Sequence, residues 1–116
     1  MDNEHNYTVY MHVNKIDNKK YVGITKMKPE RRWGKNGRRY RDTLYFKNAI
    51  EKYGWDNFDH LILFEELTQE EAKQKEIEMI AKYKSNDRRF GYNLTAGGRY
   101  GWLSKRRKSS ILWKTF

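Results

Sequence analysis

Two short strand words, Thr8-Val9-Tyr10 and Tyr21-Val22-Gly23, stand with ten residues between them around an Asp17-Asn18 turn and commit the start of this chain to a β-hairpin. In the first strand Val9, Met11 and Val13 alternate with Thr8, Tyr10 and His12; in the second, Val22 and Ile24 alternate with Tyr21, Gly23 and Thr25. A period of two sends the aliphatic set to one face, expected to meet a core, and both tyrosines to the other. Tyrosines paired where a strand normally carries core residues point to function.

The rest of the pattern adds helices to that ribbon. Pro29 suits the first turn of a short helix carrying Arg31, Arg32 and Trp33, stopped by Gly34 and Gly37. From about Thr43 to Tyr53, Phe46, Ala49, Ile50 and Tyr53 recur at helical spacing, and Gly54 supplies a left-handed stop. His60 to Glu65 contains Leu61-Ile62-Leu63-Phe64, which reads as a third strand buried on both faces. Thr68 and Glu71 form a capping box that opens a helix running to about Tyr83. The expected architecture is α+β: a small three-stranded antiparallel sheet flanked by helices, in a chain of 116 residues that has room for one modest core.

Charge narrows the partner. The formal net charge is +10, and it is sorted along the chain. Residues 19 to 41 hold ten Lys or Arg against the single acid Glu30, residues 56 to 78 hold eight acids against Lys73 and Lys75, and residues 97 to 116 hold six bases and no acid. Such blocks favour a polyanion. The absence of cysteine excludes a disulfide frame and a Cys-based zinc site, and fits a reducing cytoplasm. With no signal peptide or long apolar run, the expectation is a cytoplasmic protein that neither crosses a membrane nor takes a small-molecule ligand.

One carboxylate stands out. Ala72, Glu76, Met79, Ile80 and Tyr83 share a helix face, so Glu76 sits in an apolar stripe, whereas Glu78 falls on the solvated side. An inward carboxylate is costly unless a cation or strong donors compensate it. Spacing alone leaves two readings open: a structural pairing with an arginine, or a functional acid. A histidine-metal nuclease would need clustered histidines, and His5, His12 and His60 are scattered in sequence. A restriction-type site forced from Asp59 and Glu71-Ala72-Lys73 puts its Glu and Lys two apart on a helix, where the side chains diverge.

Taken in order, Thr8-Val9-Tyr10, Tyr21-Val22-Gly23, Arg32-Trp33, Glu76 and Gly91-Tyr92-Asn93 resemble the five motifs of a GIY-YIG endonuclease domain, over about residues 7 to 98. Ala49-Ile50-Glu51-Lys52-Tyr53-Gly54 and the stretch from Gly91 to Gly98 are similar to the branch found in homing endonucleases of phages and mobile introns. Two positions depart from the family pattern: Thr8-Val9 replaces Gly-Ile, and Asn36 stands where many relatives carry a histidine, with Tyr40 or a nearby lysine as candidate substitutes.

The resemblance implies a metal-dependent DNA endonuclease. Tyr10 would deprotonate or orient the attacking water, helped by a phenol pKa lowered by the basic block at residues 19 to 41; Tyr21 would position phosphate or water. Arg32 would neutralise developing charge, and Glu76 would hold Mg²⁺ (or Mn²⁺). Asn93 would tie the closing loop to the site, and Gly23 would keep the strand surface open beneath the phosphate. Residues 1–98 would form the catalytic domain and 99–116 a basic tail similar to the start of a DNA-binding module. Arg38, Arg39, Arg99, Lys105, Arg106, Arg107 and Lys108 would contact double-stranded DNA. The alternative of a different class is a non-catalytic nucleic-acid binder, possessing the fold or only the basic tail with Tyr100 and Trp102 as stacking groups.

Overall fold

The computed structural model describes residues 5–41 and 43–97. β1 (Tyr7–Asn14) and β2 (Lys20–Thr25) form the expected hairpin, followed by α1 (Pro29–Trp33), a 3₁₀ turn at Lys35–Gly37, α2 (Leu44–Tyr53), a second 3₁₀ turn at Trp55–Asn57, β3 (Phe58–Leu67) and α3 (Gln69–Tyr83). The three strands make one antiparallel sheet in the order β2-β1-β3. Among the described residues no helix is long and apolar enough to cross a membrane.

Local chemistry accounts for the helix ends. Pro29 occupies the first turn of α1, which is a single turn because the chain reaches Gly34 at φ 74°. α2 closes with the Gly54 N–H donating to the Ile50 carbonyl at 2.8 Å. α3 opens on the full capping box: the Glu71 N–H donates to Thr68 Oγ1 at 3.1 Å, and the Thr68 N–H to Glu71 Oε1 at 2.9 Å.

β1 is the central strand, and both of its faces are buried. On one face Val9, Met11 and Val22 pack with Ala72 and Ile80 of α3. The tyrosine face is covered as well, which corrects the expectation of a single core-facing side. Tyr10 and Tyr21 lie in an aromatic cluster with Tyr40, Phe46, Phe58 and Tyr92, closed by Trp33 and Trp55. The segment containing α1, α2 and the two 3₁₀ turns supplies that cover, which hairpin periodicity alone cannot reveal.

The third strand departs from expectation in the opposite sense. It runs two residues further at each end than the sequence reading, because pairing with β1 extends it past its apolar stretch. It lies at the sheet edge with Leu61 and Ile62 about 40% exposed, so it is not buried on both faces.

The free edge of β2 is closed by the chain's later residues. The Lys20 N–H donates to the Phe90 carbonyl at 3.1 Å, and the Tyr92 N–H donates to the Lys20 carbonyl at 2.9 Å. The Asn93 side chain then imitates a neighbouring strand: its Oδ1 accepts the Val22 N–H at 2.9 Å and its Nδ2 donates to the Val22 carbonyl at 2.9 Å. The Ser85 hydroxyl donates to the same Oδ1 at 2.7 Å, fixing the amide's orientation.

Gly23 faces Tyr10 across the hairpin, and a Cβ there would lie 2.5 Å from the Tyr10 hydroxyl oxygen. The open space beneath a phosphate expected at Gly23 is therefore filled by the Tyr10 ring. Gly23→Ala should destabilise the domain by about 1–3 kcal/mol, the usual cost of overpacking a filled core, in urea unfolding followed by circular dichroism. Wild-type stability in that variant would contradict this packing.

Candidate active site

Sheet register places the polar aromatic groups. Tyr21, His12 and His60 form one cross-strand row, and Gly23, Tyr10 and Ile62 form the next. Tyr21 stacks on Phe46, with centroids 4.7 Å apart and planes 5° from parallel, and meets Tyr40 edge-on at 5.5 Å. From α1, Arg32 lays its guanidinium 4.7 Å from the Tyr40 ring centroid.

On α3, Glu76 is 6% exposed, buried as its place in the apolar stripe requires. It lines a cavity of about 90 Å³ with Tyr21, Thr43, Asn93 and Thr95. That volume takes several water molecules or a small cation with its inner ligands, but not a nucleotide. The structure thus brings Tyr21, Glu76 and Asn93 to one cavity, with Tyr10 and Arg32 linked to it through the aromatic cluster. Tyr10 feels both charged groups, the Arg32 cation and the Glu76 anion.

Glu78, by contrast, is exposed and paired with Lys75 at 3.4 Å. Arg38 and Arg39 are exposed in the turn after α1, as is Asn36, whose φ of 56° belongs to the turn itself. Arg99, Lys105, Arg106, Arg107 and Lys108 lie outside the described residues, as does the expected boundary at residue 98.

Burial dominates the proton chemistry. It raises the Tyr10 phenol above its ordinary value; the Arg32 cation opposes this, and Glu76 adds to it. The expected lowering by the basic block is therefore corrected: Arg32 lowers the value, and loss of water outweighs it. Tyr40 is raised well above the ordinary phenol value by burial, with Tyr10 and Tyr21 adding to the rise. His12, fully buried, is held well below the ordinary imidazole value by burial and then by His60 and Arg32.

Two of the three histidines scattered in sequence, His12 and His60, meet in space. His12 Nδ1 lies 2.9 Å from His60 Nδ1, and His12 Nε2 lies 2.8 Å from the Tyr40 hydroxyl. Sequence reasoning missed this cluster. The available signal was His12 two residues after Tyr10 on the same strand face; the pairing with His60 depends on the register of a distant strand. It also missed Thr43, whose buried hydroxyl has no hydrogen-bond partner among the described residues and belongs to a residue lining the Glu76 cavity.

Among the described residues no three acids, histidines or cysteines cluster into a ready-made metal cage. A single buried carboxylate beside an unsatisfied hydroxyl still fits Mg²⁺, which keeps several waters and completes its octahedron with substrate phosphate oxygens. The Asn93 oxygen already accepts two hydrogen bonds, so this side chain holds the wall of the site.

An α+β domain with a tyrosine hairpin, an arginine on a one-turn helix and an acid on a late helix defines a class of small nuclease-like domains. The family model of the GIY-YIG catalytic domain matches residues 6–93, and the chain belongs to that family. Membership implies a nuclease acting on DNA. No match was found among curated proteins or solved structures.

The histidine pair has a consequence for stability. His12 remains neutral in the fold but binds a proton at its ordinary pKa near 6.5 when unfolded, so protons favour the unfolded chain. Its contribution is complete above pH 6.5 and is lost as pH falls from there toward the depressed folded value, at up to about 1.4 kcal/mol per pH unit. Urea unfolding between pH 7 and 5 should show that slope shrinking in His12→Gln. An identical slope in variant and wild type would exclude a buried neutral His12.

Proposed function

We propose that this domain is a divalent-metal-dependent endonuclease that hydrolyses phosphodiester bonds in double-stranded DNA, of the homing type. The observation that carries the reading is Glu76: a buried acid lining a small cavity with Tyr21 and Thr43, the latter's hydroxyl buried without a partner among the described residues. The homing branch is supported by the likeness of residues 49–54 and 91–98 to such enzymes. Residues 1–98 would carry the catalysis and 99–116 would add salt-sensitive affinity through their bases.

Hydrolysis needs a positioned water, charge neutralisation on the phosphate and relief of charge on the leaving oxygen. Glu76 and Thr43 would hold the ion, and a bound Mg²⁺ would supply Lewis-acid polarisation of the phosphate. Tyr21 would orient the phosphate from the cavity wall. Tyr10, a neutral phenol by virtue of its burial, would hold the water in line. Arg32 would neutralise the charge that builds on the non-bridging oxygens. Asn93 would keep β2 and the wall in register, and Gly23 would admit the Tyr10 ring. Arg38 and Arg39 would grip the phosphate backbone next to α1.

The test is Mg²⁺-dependent cleavage of duplex DNA by the full chain, with binding measured in parallel. Glu76→Gln should cut at least about a hundredfold more slowly while binding DNA normally; Arg32→Ala should lose cutting with the fold intact. Glu78→Ala should behave as wild type. Essential Glu78 with dispensable Glu76 would overturn the site, and binding without cutting by the wild-type chain would make this a nucleic-acid binder.

A further inference from the structure

Tyr92 is a wall shared by two recesses. One is the Glu76 cavity; the other is an open groove of about 190 Å³ between α2, the hairpin loop and the turn that follows α3. Lys19 from the hairpin loop, Lys52 from α2 and Arg88 from the later turn all line the groove. Among the described residues none of the three ion-pairs with a carboxylate. Asp17 is the one acid among the described residues of the lining, and it is already engaged: its Oδ1 accepts the Lys19 N–H at 2.9 Å, and its Oδ2 accepts the Tyr92 hydroxyl at 3.3 Å. The groove therefore presents a surplus of positive charge.

Arg88 is held in place before any ligand arrives. Its guanidinium lies over the Tyr45 ring, 3.2 Å from the centroid. Tyr45 and Lys52 stand seven residues apart on α2 and so share a helix face. The backbone carrying Arg88 is tied down as well: the Asp87 N–H donates to the Lys84 carbonyl at 2.9 Å, and the Phe90 and Gly91 N–H groups donate to the Asp87 carbonyl at 2.8 and 2.9 Å. The neighbouring Arg89 is committed to the Asp87 carboxylate, through Nε at 3.1 Å and Nη2 at 2.8 Å. A guanidinium fixed in this way loses little freedom on meeting an anion. Because Arg88 already covers a face of Tyr45, what the groove offers a ligand is charge.

We propose that Lys19, Lys52 and Arg88 bind the phosphate backbone of duplex DNA, receiving the stretch of strand beside the phosphate that reaches the Glu76 cavity. This rests on the nuclease reading, which puts the scissile phosphate at that cavity. The cavity takes a cation with its inner ligands but not a nucleotide, so the sugars and the neighbouring phosphates lie outside it. A strand leaving across Tyr92 meets the groove directly. Contacts of this kind fix the register and orientation of the duplex and carry no sequence information. The groove is a second backbone track besides Arg38 and Arg39, and Tyr45 is a positioning residue that acts through Arg88.

Binding of the full chain to a fluorescent DNA duplex in EDTA, followed across a salt series, tests this without cleavage. Lys19→Gln, Lys52→Gln and Arg88→Gln should each weaken binding at least about threefold at physiological salt and reduce the slope of log affinity against log salt by about 0.9. Tyr45→Ala should weaken binding as Arg88→Gln does although it removes no charge, and Tyr45→Phe, which keeps the ring, should match wild type. Arg89→Gln should stay near wild type because that side chain is already paired. All five positions are exposed or half-buried, so thermal midpoints should remain near the wild-type value. Wild-type affinity and salt slope in the three cation variants would overturn the groove, as would absence of duplex binding by the wild-type chain. Equal affinities of Tyr45→Ala and Tyr45→Phe would overturn the positioning role of Tyr45. A wild-type chain that binds the duplex but does not cut it when Mg²⁺ is supplied would instead overturn the nuclease reading.

Discussion

The phenol ring of Tyr10 lies in the volume a side chain at position 23 would occupy, and the tyrosine face of the sheet depends on that contact. With glycine opposite, Tyr10 can lie across β2 and reach Arg32 and Tyr40 instead of standing up into solvent. The aromatic cluster then closes over it, and a small domain gains a second core on the face that a simple hairpin would leave wet. Packing and chemistry share the same atoms: the rings that stabilise this face also set the protonation states of Tyr10, Tyr40 and His12.

The electrostatics follow from unequal burial. The neutral groups Tyr10, Tyr40 and His12 are withdrawn from water, whereas the cavity beside them combines a buried acid with a hydroxyl that has no partner among the described residues. Loss of solvent disfavours charge on the first set, so they stand as neutral groups in the fold. Glu76 is the anion of the site in a chain of net charge +10, a placement suited to a cation shared with phosphate. Asn93 makes this possible indirectly, since by pairing with the Val22 backbone it completes the free edge of β2 and fixes the wall on which Tyr21 stands.

Much of this was legible in residue order. Alternation in the hairpin, Pro29, the Phe46-Ala49-Ile50-Tyr53 face and the Thr68–Glu71 capping box are local signals, and each formed where expected. Glu76 was legible because a carboxylate in an apolar helix stripe is visible from spacing alone. What failed was non-local. The exposure of Leu61 and Ile62 depends on β3 taking the edge position, and the burial of the tyrosines depends on which segment folds over them. His60 meets His12 only through the β1–β3 register. The rise in the Tyr10 pKa was misjudged because sequence displays neighbouring charge but not the loss of water, which here is larger.

The central claim is that Glu76 and the tyrosine hairpin converge on one cation-and-phosphate site. Paramagnetic broadening by Mn²⁺, read from amide and side-chain NMR signals across the full chain in the presence of duplex DNA, tests it most directly. The account predicts that signals of Tyr21, Thr43, Glu76 and Asn93 broaden first and together, at Mn²⁺ levels that leave the exposed acids Glu65, Glu66 and Glu70 unaffected. Broadening centred on those exposed acids, with the Glu76 cavity untouched, would contradict it.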